Sequence, residues 1–353
     1  MIIYIIFYAL IFLVFAKFNK FSSGWRNRAT LVTIIALALF AGLRGGVGSD
    51  TGEYLSYFQR ADTEFGARSL FLTLEPIFCL LLIALRYICG DNWFFLFSIA
   101  STQALILLYI HKNSQSKRFI FVYALLFYLT LHFNTIRAGI AILLIIAALA
   151  SKGRKTTFAL ACVAVGVHIS TVIAIPLFFI DKKKNDIKTN AVAIIALAIL
   201  IYSFYNVATE KTASYDDYLL GSGASIVYSF VMSAIFLVPA ILYIKIEKRI
   251  TVVALALILC YLGLILWPIA YRFIIILQVI YFYLLMEVQT SRPSQKMALL
   301  TFWPAFLLVF TLTSISIINE KEKLAHNGAA ARAFDYTTIP YKLYWNDPLV
   351  MSD

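Results

Sequence analysis

Charged residues are scarce in this chain of 353 residues. Only 14% of the residues are Asp, Glu, Lys or Arg, whereas 62% are hydrophobic. Soluble globular proteins average about 25% charged residues, so the composition argues against a soluble enzyme and against a disordered protein. The aromatic fraction of 16%, with 29 Phe and 21 Tyr, is typical of the lipid-facing and interfacial surfaces of a polytopic membrane protein.

Cysteine is also rare, and the usual motifs of soluble enzymes are missing. The four cysteines, which form no CxxC pair, lie in or beside apolar stretches at Cys79, Cys89, Cys162 and Cys260. They are interpreted as small buried side chains rather than a disulfide or zinc framework. No P-loop, GxGxxG, HExxH or GxSxG motif occurs. We therefore expect neither a metal site nor a cofactor site.

Long apolar runs fill most of the chain. A bilayer core of about 30 Å requires roughly 20 apolar residues in a helix, and backbone groups in lipid must pair within helices. The sequence therefore predicts an all-α polytopic membrane protein, a single transmembrane domain over residues 1–353 with roughly 11 to 13 membrane-spanning or re-entrant helices. The candidate segments are 1–16, 29–43, 71–89, 92–110, 119–134, 135–150, 156–180, 190–206, 224–244, 250–267, 271–287 and 297–318.

The distribution of Lys and Arg predicts the orientation. Six short loops hold 19 of the 30 basic residues, and such loops face the cytoplasm. They are 17–28, 111–118, 152–155, 181–188, 245–249 and 292–296. The longer loops 44–70 and 207–223 and the tail 319–353 then lie outside, in the periplasm. This arrangement accounts for the net charge of +12 without a nucleic-acid partner.

Two regions conflict with simple alternation across the membrane. Residues 156–180 join two basic loops, which predicts two short helices broken near His168 and Pro176. Residues 71–110 would return to the outside if both spans crossed, yet the next loop is basic. Either one half does not cross or that loop is an exception to the charge rule.

Several ionisable residues lie where apolar segments end on the predicted outer side, and such residues are costly in lipid. In 41–58 a glycine-rich turn follows Arg44 and precedes an amphipathic helix that starts within 52–58. This turn is expected to bring Arg44, Asp50 and Tyr54 together. The alternative is a capped turn with a snorkelling arginine.

Three further motifs point to the same side. HFNTIRAGIA places Asn134 and Arg137 in the middle of a long apolar run, which predicts a fixed anion site; the alternative is a short reconnecting loop. His168, in GVHISTVIAIP, is either a satisfied core residue or a residue in contact with substrate. Arg272 follows Pro268 in WPIAYRF, near the outer end of its span.

Arginine suits a fixed phosphate contact, because its planar fork binds phosphate oxygens bidentately. If Arg44, Arg137 and Arg272 converge, the ligand is an anion such as a diphosphate. Asp50 is the first candidate for a carboxylate that deprotonates a hydroxyl, and Glu75, in LEPIF, is the second.

Taken in order, these motifs resemble the EpsG family of exopolysaccharide and O-antigen polymerases, the Wzy-type proteins. The resemblance covers nearly the whole chain, with Ala138 standing where such families often have Gln. It is carried by R-x5-D-x3-Y at Arg44, Asp50 and Tyr54, FNTIRAGIA around Arg137, HIS at His168 followed by Pro176, and IPY at Pro340 and Tyr341.

The resemblance implies a GT-C-like glycosyltransferase of the bacterial inner membrane whose active site faces the periplasm. Its substrates would be oligosaccharide repeat units on undecaprenyl diphosphate, joined by inversion with release of the lipid diphosphate and without a metal. A chain-length regulator and a flippase are the implied partners. Arg44, Arg137 and Arg272 would hold the diphosphate, Asp50 or His168 would be the base, and Tyr54 and Asn134 would support them; Glu75 and Tyr341 complete the expected substrate contacts.

Other functions fit parts of the pattern. A flippase or transporter for the same lipid-linked units also needs many helices and buried arginines, but no two-fold internal repeat is visible. A ligase that transfers O-antigen to another acceptor would use similar chemistry. A membrane acyltransferase requires a histidine deep in its reaction chamber, and His168 is a candidate for that histidine. The aromatic tail around Tyr341 is either a sugar platform or an interfacial anchor.

Overall fold

A computed structural model describes residues 2–45, 48, 50–180, 223–243, 247–263 and 270–288. These residues are helical almost throughout, and no β-strand occurs among them, which confirms the all-α prediction. They divide into two compact units, with the described part of the first ending at Ile169 and the second beginning at Ser170. Almost all of loop 207–223, the whole of tail 319–353 and Tyr341 lie outside the described residues.

The helices of the first unit have the following bounds: α1 Ile2–Lys17, α2 Ser23–Gly42, α3 Thr51–Arg60, α4 Glu64–Thr73, α5 Pro76–Ile88, α6 Asn92–Asn113, α7 Arg118–Leu126, α8 Ile136–Ala150 and α9 Arg154–Val167. A short 3₁₀ turn, Phe18–Lys20, follows α1, and a π-helical turn, Leu129–Asn134, separates α7 from α8. A 3₁₀ segment, Ile169–Phe178, follows α9. The second unit continues with α10 Gly223–Leu242, α11 Lys248–Gly263 and α12 Ala270–Val288, in which α11 packs against both neighbours.

Helices α7 and α8 form the centre of the first unit. Eight of the nine residues of α7 and twelve of the fifteen of α8 are buried. Around them, α6 packs against α2 and α8, while α9 packs against α8 and α5. Helices that are apolar on every side belong in the interior of a bundle, so the π-helical turn between α7 and α8 lies at the core of this unit.

Helix α6 differs from the other described helices in length and hydropathy. Among the residues that the structure describes, it is the one helix that is long and apolar enough to cross a membrane. Helices α4 and α5, with 10 and 13 residues, are only about 15 and 20 Å long. Both are shorter than the hydrocarbon core of a bilayer, which is about 30 Å thick.

Helices α4 and α5 form an antiparallel hairpin with Glu75 at its tip. At the open end, Arg86 Nη2 lies 2.8 Å from Asp62 Oδ2, and this hydrogen bond lowers the pKa of the Asp62 carboxyl. The Arg86 guanidinium also lies over the ring of Phe58, 5.5 Å from its centroid. Nearer the tip, the Cys79 thiol contacts the Leu70 carbonyl at 3.2 Å. The hairpin is thus fixed at its open end by an ion pair.

The predicted break in residues 156–180 is present. Helix α9 ends at Val167, and His168 has an extended backbone with φ −153° and ψ 109°. Pro176 lies inside the 3₁₀ segment that follows. The predicted amphipathic helix after the glycine-rich turn corresponds to α3. The prediction of one membrane domain over residues 1–353 concerns the bilayer and stays a prediction.

Candidate active site

The π-helical turn between α7 and α8 leaves backbone carbonyls that side chains from other helices must satisfy. Its wider spiral ends where the N–H of Thr135 donates to the Thr130 carbonyl at 2.8 Å. The Gln103 amide, in the middle of α6, donates to the carbonyls of Leu131 at 3.2 Å and Ile136 at 3.4 Å. Gly139 permits this approach, because a Cβ there would lie 2.2 Å from the Leu131 oxygen.

The segment between α2 and α3 is attached to the same turn. The Arg44 guanidinium donates to the carbonyl of His132 and lies over the Phe133 ring at 4.5 Å. The Thr51 hydroxyl donates to the Phe133 carbonyl at 3.0 Å. Gly48 has φ +123°, and a Cβ there would lie 2.2 Å from that same oxygen. The start of α3 is therefore fixed against the break that precedes α8.

Three polar side chains converge where helices are interrupted, and we call Glu75, Arg137 and His168 the polar cluster. Arg137 Nη1 lies 2.7 Å from Glu75 Oε2. Glu75 Oε1 lies 3.1 Å from His168 Nδ1 and also accepts the backbone N–H of Ile169 at 3.1 Å. Arg137 is in the first turn of α8, Glu75 is the tip of the hairpin, and His168 is the residue between α9 and the 3₁₀ segment.

The polar cluster is largely shielded from solvent. The side chains of Arg137, Glu75 and His168 are 20%, 15% and 11% exposed. Ion pairs at such sites are less screened than those at the surface. Each of the two Glu75 carboxylate oxygens faces at least one nitrogen that can donate to it, so the carboxylate is satisfied as an anion. Arg137 Nε is buried and has no hydrogen-bond partner among the described residues, so the guanidinium retains a donor beyond its contact with Glu75.

His168 is held in a defined orientation by the same carboxylate. When Nδ1 donates to Glu75, the other ring nitrogen, Nε2, is the basic one in the neutral imidazole. A histidine oriented in this way can accept a proton from a substrate hydroxyl. An arginine fork held by the same carboxylate can bind an anionic leaving group. The polar cluster therefore combines a base and an anion-binding group.

Tyr54 lies beside the polar cluster, and Asp50 lies close to Tyr54. The buried Tyr54 phenol is next to the backbone N–H of Arg137 and within the field of the Asp50 carboxylate. Burial raises the pKa of this phenol, and the Arg137 charge partly offsets that effect. Tyr54 therefore remains a neutral hydroxyl that can donate or accept a hydrogen bond.

The structure brings some of the predicted site residues into one cluster. Arg137, Glu75 and His168 are in contact, with Tyr54 and Asp50 nearby. Arg44 is directed to the π-helical turn and is 2% exposed. Asn134 is the half-buried last residue of that turn, and Arg272 belongs to α12 of the second unit.

Two contributors to this region were not predicted from the sequence. Gln103 is an amide inside the long apolar helix α6, and a lone polar residue in such a helix is a signal that was available. The backbone N–H of Ile169 has no sequence signature, because any residue after the break would supply it.

Comparison with known families places most of the chain in one family. A sequence model of the EpsG family matches residues 27–328, which include the whole polar cluster. The chain belongs to the EpsG family. No curated protein and no solved structure gives a significant match. The EpsG family consists of membrane-associated, Wzy-like polysaccharide polymerases and EpsG-type transferases, which points to glycosyl transfer in polysaccharide biosynthesis. Tyr341 lies beyond the part of the chain that matches the EpsG family.

Proposed function

We propose that the protein is a multi-pass polymerase of the bacterial inner membrane that joins undecaprenyl-diphosphate-linked oligosaccharides at its periplasmic side. The observation that carries this proposal is the convergence of Arg137 and His168 on Glu75 where three helices are interrupted. This arrangement places an anion-binding group and a proton acceptor within reach of one substrate.

The lengths of the helices support a site in the outer half of the membrane. Helices α8 and α9 flank the basic loop 152–155 and have 15 and 14 residues, so each rises about 21 to 23 Å from the cytoplasmic side. Arg137 and His168 are at their far ends. In a core of about 30 Å, both residues lie roughly 7 to 9 Å below the outer boundary.

The hairpin supports one of the two alternatives for residues 71–110, in which one half does not cross. Because α4 and α5 are each too short to cross, we assign them to a re-entrant hairpin that enters from the outside and returns there. Helix α6 then crosses to the basic loop 111–118, in agreement with the charge rule. Large exposed apolar side chains on α1 and α2, among them Ile6 and Val32, face lipid in this arrangement.

The donor is best matched by a lipid-linked sugar diphosphate. The predicted cytoplasmic loops are too short to form a nucleotide-sugar site, and the periplasm has no supply of nucleotide sugars. Arg137 carries a permanent charge and a planar fork suited to phosphate oxygens. Arg272, Asn134 and Tyr341 remain predicted further contacts to the substrate. We assign Arg44 to fixing the segment that carries Asp50 and Tyr54.

The reaction follows from these roles. The acceptor hydroxyl oxygen attacks the anomeric carbon of the donor sugar and forms the new glycosidic bond. The bond from that carbon to the diphosphate oxygen breaks, and both electrons leave with the oxygen. Nε2 of His168 takes the proton of the hydroxyl, while Arg137 stabilises the charge that grows on the leaving diphosphate. Attack opposite the leaving group inverts the anomeric centre, and the lipid diphosphate is released.

The test is elongation by the purified protein. The full chain in detergent, given lipid-linked repeat units alone, should produce a ladder of longer glycans together with free undecaprenyl diphosphate. In reconstituted vesicles, movement of the lipid-linked unit across the bilayer without any elongation would instead identify a flippase. Transfer to a different acceptor without elongation would identify a ligase-like transferase.

A further inference from the structure

Glu75 contacts both of the other residues of the polar cluster, and its position suggests more than charge compensation. We infer that Glu75 is a positioning residue that acts through His168, an inference that rests on the proposed function. Its role is to hold the imidazole with Nδ1 protonated and Nε2 directed at the acceptor hydroxyl. Glu75 itself does not contact the reacting atoms.

The two carboxylate oxygens have different partners. Oε1 lies 3.1 Å from both His168 Nδ1 and the backbone N–H of Ile169. A single oxygen that binds the ring and the backbone next to it restricts rotation of that ring. Oε2 lies 2.7 Å from Arg137 Nη1, so the same group fixes the distance between the base and the anion-binding arginine.

The hairpin makes Glu75 suitable for this role. Pro76 begins α5 directly after it, which fixes the backbone on one side of the carboxylate. Near the tip, the buried Cys79 of α5 contacts the Leu70 carbonyl of α4 at 3.2 Å, so the two helices are packed together there. The carboxylate therefore reaches the break at His168 from a separate, anchored element. A carboxylate on a free loop would not orient the ring in this way.

The path of the proton during the reaction is consistent with a positioning role for Glu75. When the acceptor oxygen bonds to the anomeric carbon, its proton passes to Nε2 and the imidazole becomes a cation. The Glu75 carboxylate at Nδ1 stabilises that cation and keeps its own charge. After product release the proton passes from Nε2 to water, and the neutral ring returns to the same tautomer. Loss of the carboxylate should slow the chemical step more than substrate binding.

The test is a double-mutant cycle on the purified full chain with lipid-linked repeat units. Glu75→Gln should lower kcat by about 100-fold while KM changes by less than about threefold. His168→Gln should lower kcat at least as far. The double variant should be no slower than His168→Gln by more than about threefold, because the two residues act as a unit. Multiplicative losses in the double variant would overturn the inference.

Matched variants separate this role from a structural one. Asp62→Asn loosens the open end of the hairpin without touching the polar cluster and should keep kcat within about threefold. A loss equal to that of Glu75→Gln would mean that Glu75 merely holds the hairpin. If Glu75→Gln does not fold, Glu75→Asp replaces it, with an expected loss of about tenfold and the same non-additivity. No elongation by the wild-type chain would refute the proposed function, whereas normal elongation by Glu75→Gln would refute only the inference.

Discussion

Arg137 and Arg86 offer a comparison between two ion-paired arginines of nearly equal exposure, although their partners differ: the side chain of Glu75 is 15% exposed and that of Asp62 is 46% exposed. Arg137 Nη1 lies 2.7 Å from a carboxylate oxygen of Glu75, and Arg86 Nη2 lies 2.8 Å from one of Asp62. The two arginine side chains are 20% and 22% exposed. Replacing either with lysine keeps the charge and removes the fork. Comparing the two variants therefore controls for the charge and the exposure of the arginine, while the more exposed Asp62 pair is expected to contribute less to stability.

The expected effects differ because only one arginine is assigned to the leaving group. A lysine ammonium at position 137 can bind Glu75 or a phosphate oxygen, but it lacks the fork that reaches both. Removing one donor that stabilises developing negative charge costs about 2.7 to 4 kcal/mol, which corresponds to roughly 100- to 1,000-fold in rate. Arg137→Lys should therefore lose that factor in kcat/KM, while Arg86→Lys should stay within about threefold of wild type.

The assay is initial-rate elongation of lipid-linked repeat units in detergent, with both variants at matched concentration. Gel filtration and thermal melting should show equal folding of the two lysine variants. The assignment of Arg137 to the leaving group is refuted if Arg137→Lys keeps more than about one third of the wild-type kcat/KM, since a lost donor should cost far more than that. Equal losses in the two variants would also refute it, because they would reflect general destabilisation.

Three further predictions concern helix packing and topology. Gly139→Ala would place its Cβ 2.2 Å from a backbone carbonyl of the π-helical turn and should destabilise the protein by about 1 to 3 kcal/mol, seen as a lower melting temperature. Gly24→Ala, with no atom within 4 Å of its Cβ, should raise stability by up to about 1 kcal/mol. Single cysteines at 62 and 90, in a chain without its own cysteines, should both react with an impermeant maleimide from the periplasm, whereas a cysteine at 115 should react only in opened cells. Labelling of 62 and 90 from opposite sides would refute the re-entrant hairpin.

The interruptions in the helices were predictable because charge patterning constrains them. Residues 156–180 join two basic loops, so the chain must turn back within one apolar segment, and the structure places that turn at His168. Residues 119–150 are too long for one span, which predicts a break near Arg137. In both places the charge rule for orientation and the length of a membrane-spanning helix were enough to predict the break.

The hairpin was harder to predict from residue patterns. Phe71 and Leu72 are apolar, so 71–89 resembles one continuous span, yet they belong to α4, and Leu72 is 89% exposed. Pro76 was the available signal, because proline is favoured in the first turn of a helix and so marks a new start. Composition alone gives no weight to such a single residue.

The contacts of Arg44 could not be predicted, because the groups it meets have no sequence signature. An arginine at the end of an apolar run is typical of phosphate binding, and the resemblance to the EpsG family favoured that interpretation. Its guanidinium instead meets a carbonyl exposed by the π-helical turn. A π-helical turn has no recognisable residue pattern, so this acceptor was invisible before the structure. Whether Arg44 also contacts a substrate stays a prediction.

The bond from Glu75 to the backbone N–H of Ile169 has a practical consequence for trapping a bound substrate. An inactive Glu75→Ala variant would also leave the backbone N–H of Ile169, at the start of the 3₁₀ segment, without its acceptor, and so would weaken the surface to be studied. His168→Gln removes the proton acceptor and leaves that hydrogen bond in place. It is therefore the better choice for capturing the donor lipid in an intact complex.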